Sequence, residues 1–259
     1  MKFKIHLLSG ILFIFTNNIW AKDLEVITIT GHPDYPPIIW YSEKDNQLQG
    51  VAVELIKKIF PENKYKLKFI PLDTWGRALK ETTDGRIDIL LPPYKTTDRL
   101  DLYDYPDKAF ALDRTKLFLQ KGKKITFNSL EDLKKYQGVA LLNDSFGDEF
   151  DEYSKKELKI IRLSKTSQAL KFLSLGRADY VIAGYNAGIA VAAKENLMNK
   201  IDIHPKSVIE TGLYFGISKK TKLNRIKLLK LMNNYLKDLP EKEVNQIEKK
   251  YMNIFLKSL

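Results

Sequence analysis

The chain has 259 residues, enough for one large domain or two small ones, and its 44% hydrophobic content supports a proper core. Its formal net charge of +11 comes from lysines spread along the sequence rather than from an aromatic-interleaved basic patch, which argues against nucleic-acid binding. The absence of cysteine excludes disulfides, thiolate metal sites, a cysteine nucleophile and a lipid-modified cysteine anchor.

The first 21 residues have the pattern of a secretory signal peptide. Lys2 and Lys4 form a basic start, residues 7–14 are mostly apolar, and Ala21 is a small residue near which cleavage is expected. The apolar run is shorter than the ~20 residues that a spanning helix needs, so export is favoured over the alternative, a membrane anchor. Loss of the two lysines lowers the net charge from +11 to +9.

The first half of the remaining chain predicts the order β-α-β-α-β. Residues 24–30 alternate as in a strand, and residues 51–60 place their apolar side chains on one helical face that Pro61 ends. The predicted elements are a strand at 24–30, a strand at 38–41, a helix at 51–60, a strand at 65–70, a helix at 74–83 with Gly85 after it, and a buried strand at 87–91.

The same order recurs further along the chain. GRID at 85–88 ends a helix and opens a strand, and GRAD at 176–179 does the same. Asp88 and Asp179 are predicted to be structural, because an aspartate there can tie down nearby N–H groups. The predicted elements are strands at 115–120, 139–142, 159–163, 180–183, 201–203 and 211–218, and helices at 145–153, 167–175, 186–195, 221–237 and 241–256.

Two such halves indicate an α/β protein with two lobes. Ligands of open parallel sheets bind beyond the carboxyl ends of the strands, so a ligand cleft is expected between the lobes.

Several motifs, in order, resemble the bacterial extracellular solute-binding proteins of family 3. They are DYPPIIW at 34–40, QLQGVAVELIKKI at 47–59, TWGRAL at 74–79, GRIDILL at 85–91, TTDRLDLYDYPDKAF at 96–110, SLEDLKKY at 129–136, NDSFGDEF at 143–150 and GRADYVIAG at 176–184. The resemblance implies a type II periplasmic-binding-protein fold whose lobes are joined by two extended crossover segments. It places lobe 1 at 22–111 and 211–259, and lobe 2 at 112–210, after a signal peptide at 1–21.

The resemblance also implies a role for Arg99, which occupies the arginine of the family's T-x-x-R turn and is expected to grip a carboxylate. A guanidinium offers a planar fork that pairs bidentately with such a group. The alternative is a surface salt bridge to Asp101 or Asp104.

Aromatic residues are expected to complete the first lobe's side of the site. Tyr35 occupies a position where the family lays a ring against the solute, and Tyr94 replaces a small hydroxyl residue found in many relatives. Trp75 begins a predicted helix, where a cleft position and a core position are both open. Arg77 could add a second positive group or pair with an acid on the helix surface.

In the second lobe, Asp144 and Ser145 are predicted to begin a helix whose free N–H groups help to bind the carboxylate; simple capping needs the same residues. The family's ammonium-binding acid is replaced by Gly184, which Tyr185 follows as a further candidate. Either the ligand lacks a standard α-amino group or another acid, such as Glu210, takes that place.

The expected function is a periplasmic receptor that delivers a small polar, carboxylated solute to an ABC permease. The alternatives are a sensory receptor for a membrane kinase and a cleft enzyme of the cyclohexadienyl-dehydratase type, for which His32 is the one catalytic candidate and a polar loop position the simpler interpretation. No catalytic or metal motif is present, and no cofactor is expected. The chain is expected to be a monomer, by analogy with such receptors.

Overall fold

A computed structural model describes residues 24–258, so the predicted signal peptide at 1–21 lies outside the described residues. Within the described range, no helix has the length and apolar character needed to cross a membrane.

The chain first builds one lobe and then crosses to the other. Its first elements are β1 Glu25–Gly31, β2 Asp34–Tyr35, β3 Ile39–Ser42, β4 Gln47–Gln49, α1 Val51–Ile59, β5 Tyr65–Phe69, α2 Trp75–Thr83, β6 Ile89–Leu91, α3 Thr97–Leu100 and β7 Tyr103–Asp104.

The second lobe follows, and the chain then returns. The elements are β8 Ala111–Gln120, a 3-10 helix at Leu130–Lys135, β9 Gln137–Leu141, α4 Asp148–Glu157, β10 Lys159–Leu163, α5 Thr166–Ser174, β11 Tyr180–Gly184, α6 Tyr185–Lys194, β12 Ile201–Leu213, β13 Gly216–Ser218, α7 Arg225–Lys237 and α8 Glu241–Lys257.

Each lobe contains a five-stranded sheet, which confirms the predicted two-lobed α/β class. The first sheet has the order β5-β1-β6-β13-β7, and the second has the order β10-β9-β11-β8-β12. Parallel pairing joins β5, β1 and β6 in one sheet and β10, β9 and β11 in the other. We propose, on this topology, that the domain boundaries lie near residues 111 and 211.

The second sheet is buried on both faces. Phe118 and Val181 pack into an apolar cluster with α5, while their neighbours Leu117 and Ile182 pack into another cluster with Phe150 of α4. Successive residues of a strand point to opposite faces, so a continuous apolar run is required here. The predicted buried strands are explained by this arrangement.

The strands β8 and β12, which carry the chain between the lobes, are longer than predicted. They pair antiparallel from Ile201↔Gln120 to Leu213↔Ala111, with irregular register between Ile203 and Ile209. Pro205 lies inside that irregular stretch. Because proline is rare within strands, its presence led to a predicted break in the strand. An edge strand tolerates proline because one side of its backbone needs no partner, so the predicted break between 203 and 211 is wrong.

The structural roles predicted for Asp88 and Asp179 are confirmed. Asp88 Oδ2 accepts from the Thr28 N–H at 2.8 Å and from its hydroxyl at 2.6 Å, and Asp88 Oδ1 accepts from Thr221 Oγ1. Asp179 accepts from the Gln137 N–H at 2.6 Å. Each aspartate therefore joins the start of one strand to its neighbour in the sheet.

Replacement of Asp88 by alanine is expected to lower the free energy of unfolding by about 2–3 kcal/mol, because the Thr28 N–H and two hydroxyls lose their acceptor. Urea denaturation measures this change. Asp238→Ala is the control, since Asp238 is exposed and makes no side-chain hydrogen bond within residues 24–258. Equal effects of the two substitutions would contradict the structural role.

Candidate functional site

A small cavity lies between the lobes, and we call it the interlobe cavity. Its volume is about 30 Å³, which is room for two or three waters. The first lobe contributes one wall and the second lobe the other. The lining residues are His32, Tyr35, Trp75, Pro92, Tyr94, Arg99, Asp144, Ser145, Phe146 and Gly184.

Arg99 is buried beside this cavity on the short helix α3. Its guanidinium carbon lies 5.9 Å from the centroid of the Trp75 ring. Its Nη1 donates a hydrogen bond to the Tyr94 carbonyl at 3.3 Å. Asp104 pairs with Arg225 instead, and no carboxylate within residues 24–258 lies at ion-pair distance from Arg99. The predicted alternative, a surface salt bridge of Arg99, is therefore wrong.

Trp75 is both a core residue and a cavity residue, the two positions that the sequence left open. It is the first residue of α2, after Thr74 as the N-cap, and its ring packs with Ala78 and Leu90. The same ring reaches the cavity, where it lies 5.2 Å from the ring of His32. Packing on the core side fixes the ring that faces the cavity.

Tyr35 and Tyr94 converge on an acid that the sequence did not reveal. Both hydroxyls donate to Asp113 Oδ2, and the two hydroxyl oxygens are 3.4 Å apart. Burial, followed by the neighbouring Asp113 carboxylate, raises the pKa of both phenols well above 10. Burial also raises the pKa of Asp113, and the tyrosine hydrogen bonds oppose that rise.

The burial of Asp113 follows from its register in β8 rather than from the sequence pattern. In β8, Leu112 and Arg114 are exposed, whereas Asp113 and Thr115 are buried. Such alternation marks an inward-facing aspartate once the strand is known to begin at Ala111. The prediction began the strand at Thr115 and so treated Asp113 as part of a connecting segment.

Gly184 lies directly against this acid. A Cβ atom at position 184 would be 2.8 Å from Asp113 Oδ2 and 2.9 Å from the Tyr35 hydroxyl oxygen. Any side chain at 184 would displace that arrangement. Glu210 does not take the same place, because it is half exposed and pairs with Arg114 at 3.2 Å.

The predicted helix start at Asp144 and Ser145 is wrong. Helix α4 begins at Asp148. Gly147, just before it, has a φ of +94°, which is incompatible with a right-handed helix, so the helix cannot start earlier. Ser145 Oγ and the Phe146 N–H both donate to Asp151. The N-terminal turn of α4 is thus already supplied with acids and is unsuited to bind an anion.

Two further predicted residues lie outside the interlobe cavity. Arg77 is exposed and pairs with Asp73 at 3.1 Å on the surface of α2, which is the second of its two predicted descriptions. Tyr185 is 38% exposed and borders a separate cavity behind the crossover strands.

His32 lies in a loop, as predicted, but it is buried and lines the interlobe cavity. Its Nδ1 accepts from the Asp34 N–H at 3.0 Å, which assigns the proton to Nε2. Nε2 is buried, has no hydrogen-bond partner within residues 24–258, and lies 3.9 Å from Asp144 Oδ1. Burial lowers the pKa of His32 to about 3, and burial raises the pKa of Asp144 to about 7 despite nearby Arg99 and Arg162. The two groups do not form an ion pair at neutral pH.

One set of hydrogen bonds closes the lobes over Arg99, and we call it the Thr97–Asp148 latch. The Thr97 N–H donates to both carboxylate oxygens of Asp148 at 3.1 Å, and the Thr97 hydroxyl donates at 2.7 Å. Thr97 belongs to lobe 1 and Asp148 to lobe 2, so these bonds exist only when the lobes are together.

Comparison with known proteins gives one family and a consistent fold. The profile of the bacterial extracellular solute-binding proteins, family 3, matches residues 27–254. The L-cystine-binding protein TcyA of Bacillus subtilis (strain 168) is 24% identical over 176 residues, which is 67% of this chain and 62% of TcyA. The matched region thus spans less than two thirds of that relative.

Two solved structures show the same architecture. A histidine kinase sensor domain with similarity to periplasmic binding proteins has a TM-score of 0.73 at 18% identity, covering 88% of this chain and 96% of that chain. The ancestral amino acid-binding protein AncCDT-1, a precursor of cyclohexadienyl dehydratase, has a TM-score of 0.68 at 20% identity, covering 88% and 95%. These likenesses confirm the type II periplasmic-binding fold.

Asp144→Asn is expected to change how stability depends on pH. The pKa of Asp144 is about 7 in the folded protein against 3.8 ordinarily. Between these values the folded protein holds a proton that the unfolded chain releases, so the free energy of unfolding falls as pH rises. The stability advantage of the wild type over the variant should therefore shrink by about 2 kcal/mol from pH 4 to pH 7, discounted for partial exposure of the carboxyl.

Urea denaturation across that pH range measures the difference. His32, whose pKa is lowered, gives the opposite slope but is present in both proteins and cancels. A difference that stays constant with pH would contradict the raised pKa of Asp144.

Asp148→Ala is expected to open the latch and reduce the closed population. Loss of the charged acceptor of Thr97 should raise the apparent dissociation constant of a bound solute about 3- to 30-fold, because less protein is competent to hold it. Small-angle X-ray scattering should show a larger radius of gyration. Glu149→Ala is the matched control, since Glu149 lies in the same helical turn, is exposed and makes no side-chain hydrogen bond within residues 24–258; the same opening in both variants would contradict the latch.

Proposed function

The chain belongs to the bacterial extracellular solute-binding proteins of family 3, and on this premise we propose that it captures a small carboxylated solute between its lobes. Arg99 binds the carboxylate, while Tyr35, Trp75 and Tyr94 enclose the rest of the molecule. His32, Asp144 and Ser145 form the remaining polar wall. Arg77 and Tyr185 have no part in this site.

The observation that carries the proposal is that Arg99 is buried without an ion-pair partner in the described part of the chain. Only 9% of this residue is exposed, and its guanidinium has no carboxylate partner within residues 24–258. A buried charge without a partner is costly, and an anionic ligand would remove that cost. A carboxylate suits the planar fork of the guanidinium, and stacking near Trp75 keeps the fork oriented.

The mechanism that we propose is capture by closure. A solute enters while the lobes are apart, binds Arg99 on the first lobe, and is covered when Asp144 and Phe146 of the second lobe approach. The Thr97–Asp148 latch then adds contacts that favour the closed form. A membrane partner that recognises only the closed form would distinguish loaded receptors from empty ones.

We propose an ABC permease as that partner, with the chain exported to the periplasm and acting as a monomer. TcyA, the L-cystine-binding protein, supports the importer interpretation. The structural similarity to a histidine kinase sensor domain favours the alternative, a receptor that presents its solute to a sensor. Loss of solute uptake after deletion of the gene would support import, and loss of a transcriptional response with uptake intact would support sensing.

A cleft enzyme is the third candidate, because AncCDT-1 is a precursor of cyclohexadienyl dehydratase. His32 and Asp144 could in principle exchange protons with a bound acid. The family and the relative TcyA are binding proteins, and we propose that this chain performs no reaction on its solute. Product formation from a bound solute, followed by NMR, would overturn that proposal.

Arg99→Ala is expected to weaken solute binding about 30- to 1,000-fold, because the carboxylate loses a desolvated, bidentate partner. A thermal-shift screen of amino acids, dicarboxylates, polyamines and small peptides identifies the probe, since a ligand of the native state raises its stability. Titration calorimetry then measures the dissociation constant.

Arg77→Ala is the matched control, because it removes an arginine that is exposed and paired with Asp73. It should leave the dissociation constant within about twofold, as expected for a surface ion pair. Wild-type affinity in Arg99→Ala would overturn the proposed carboxylate site.

A further inference from the structure

Asp113 occupies the space that a side chain at position 184 would need. Its two carboxylate oxygens lie 2.8 and 3.0 Å from the point where a Cβ atom of residue 184 would stand. The acid comes from β8, whereas Gly184 ends the neighbouring strand β11. A glycine at 184 is thus required for a carboxylate from the adjacent strand to fill the same volume.

The two tyrosine hydroxyls link this carboxylate to the interlobe cavity. Each hydroxyl has one proton, and the bonds to Asp113 Oδ2 use both protons. The remaining lone pairs of the two phenolic oxygens can then only accept hydrogen bonds. Tyr35 and Tyr94 both line the cavity, so they present a pair of acceptors there with a carboxylate directly behind them.

The charge of Asp113 has no cationic partner. Within residues 24–258 no lysine, arginine or histidine lies at ion-pair distance from it, and its neighbour Arg114 pairs with Glu210. Asp144 is in a different position, since Arg99 and Arg162 both favour its ionised form. Of these two aspartates, only Asp144 has arginines that favour its ionised form.

We propose that Tyr35, Tyr94 and Asp113 form a subsite for a protonated amine of the ligand whose carboxylate binds Arg99. This inference rests on the proposed function and narrows its ligand class to zwitterionic amino acids. The amine donates to the two phenolic oxygens, and the Asp113 carboxylate balances its charge through the two hydroxyl bonds. The acid expected at position 184 is thus supplied by β8.

Asp113 also borders the cavity behind the crossover strands, which has a volume of about 440 Å³. That side contains two acids, Glu241 and Glu248, as well as Lys108 and Arg114. The oxygen Oδ2 of Asp113, however, accepts from the two tyrosines that line the interlobe cavity. The cationic ligand is therefore assigned to the interlobe cavity.

The test compares an amino acid with the same acid lacking its amine. The probes are L-cystine and the common L-amino acids, followed by the deaminated counterpart of the tightest binder, measured by titration calorimetry at pH 7. The wild type should prefer the amino acid by about 30-fold or more, as for a charge-assisted contact. Asp113→Asn should reduce that preference to about threefold or less and leave the affinity for the deaminated acid unchanged, because the amide can still accept from the tyrosines but has no charge.

Two further variants keep the test decisive if Asp113→Asn folds poorly. Tyr94→Phe removes one of the two acceptors without touching the acid, and it should reduce the preference by a smaller factor. Glu210→Gln is the control for loss of an acid near β8 and should retain the full preference, because Glu210 is half exposed and paired with Arg114.

Three results would overturn the inference. One is a preference that survives both Asp113→Asn and Tyr94→Phe, and another is a preference that is lost in Asp144→Asn instead. The third is a wild type that binds only carboxylates without an amine; this would overturn the amine subsite and leave the carboxylate receptor standing. The proposed function itself fails only if Arg99→Ala binds as the wild type does.

Discussion

Two opposite charges, Arg99 and Asp113, are buried beside the interlobe cavity, and neither has an ion-pair partner within residues 24–258. Removing a charge from water costs several kcal/mol unless another charge or hydrogen bonds compensate for it. The surrounding structure supplies part of that compensation, through the Tyr94 carbonyl for Arg99 and the tyrosine hydroxyls for Asp113. We propose that a ligand supplies the remainder.

The other groups of the cavity contribute little net charge near neutral pH. His32 is neutral because burial lowers its pKa, and the raised pKa of Asp144 brings that carboxyl close to half-protonation. The cavity therefore has one fixed positive end at Arg99. We propose that a negative group of a ligand binds at that end, beside the buried rings of Trp75 and Tyr94.

The sequence predicted the scaffold better than the site. Apolar runs such as Ile89–Leu91 predicted the buried strands. A strand that is buried on both faces has apolar residues at every position, so its sequence pattern is easy to recognise. Motifs singled out Arg99 and Tyr35, which both line the interlobe cavity. Asp113 was missed because its strand was thought to begin at Thr115, and the helix predicted at Ser145 begins at Asp148 because a positive φ at Gly147 delays it. Contacts between distant segments, such as Asp113 against Gly184, follow from strand pairing that local patterns do not encode.

The pairing of β8 with β12 has a consequence for how the chain could be rearranged. Ala111 and Leu213 are direct partners in this ladder, so the second lobe begins and ends at adjacent points about 5 Å apart. A segment whose two ends meet can be moved as a cassette: it can be spliced between related scaffolds, or the chain can be circularly permuted with its new termini on the far side of that lobe. Swapping residues 112–212 between receptors would exchange the Asp144 and Gly184 walls while leaving Arg99 and Tyr35 in place.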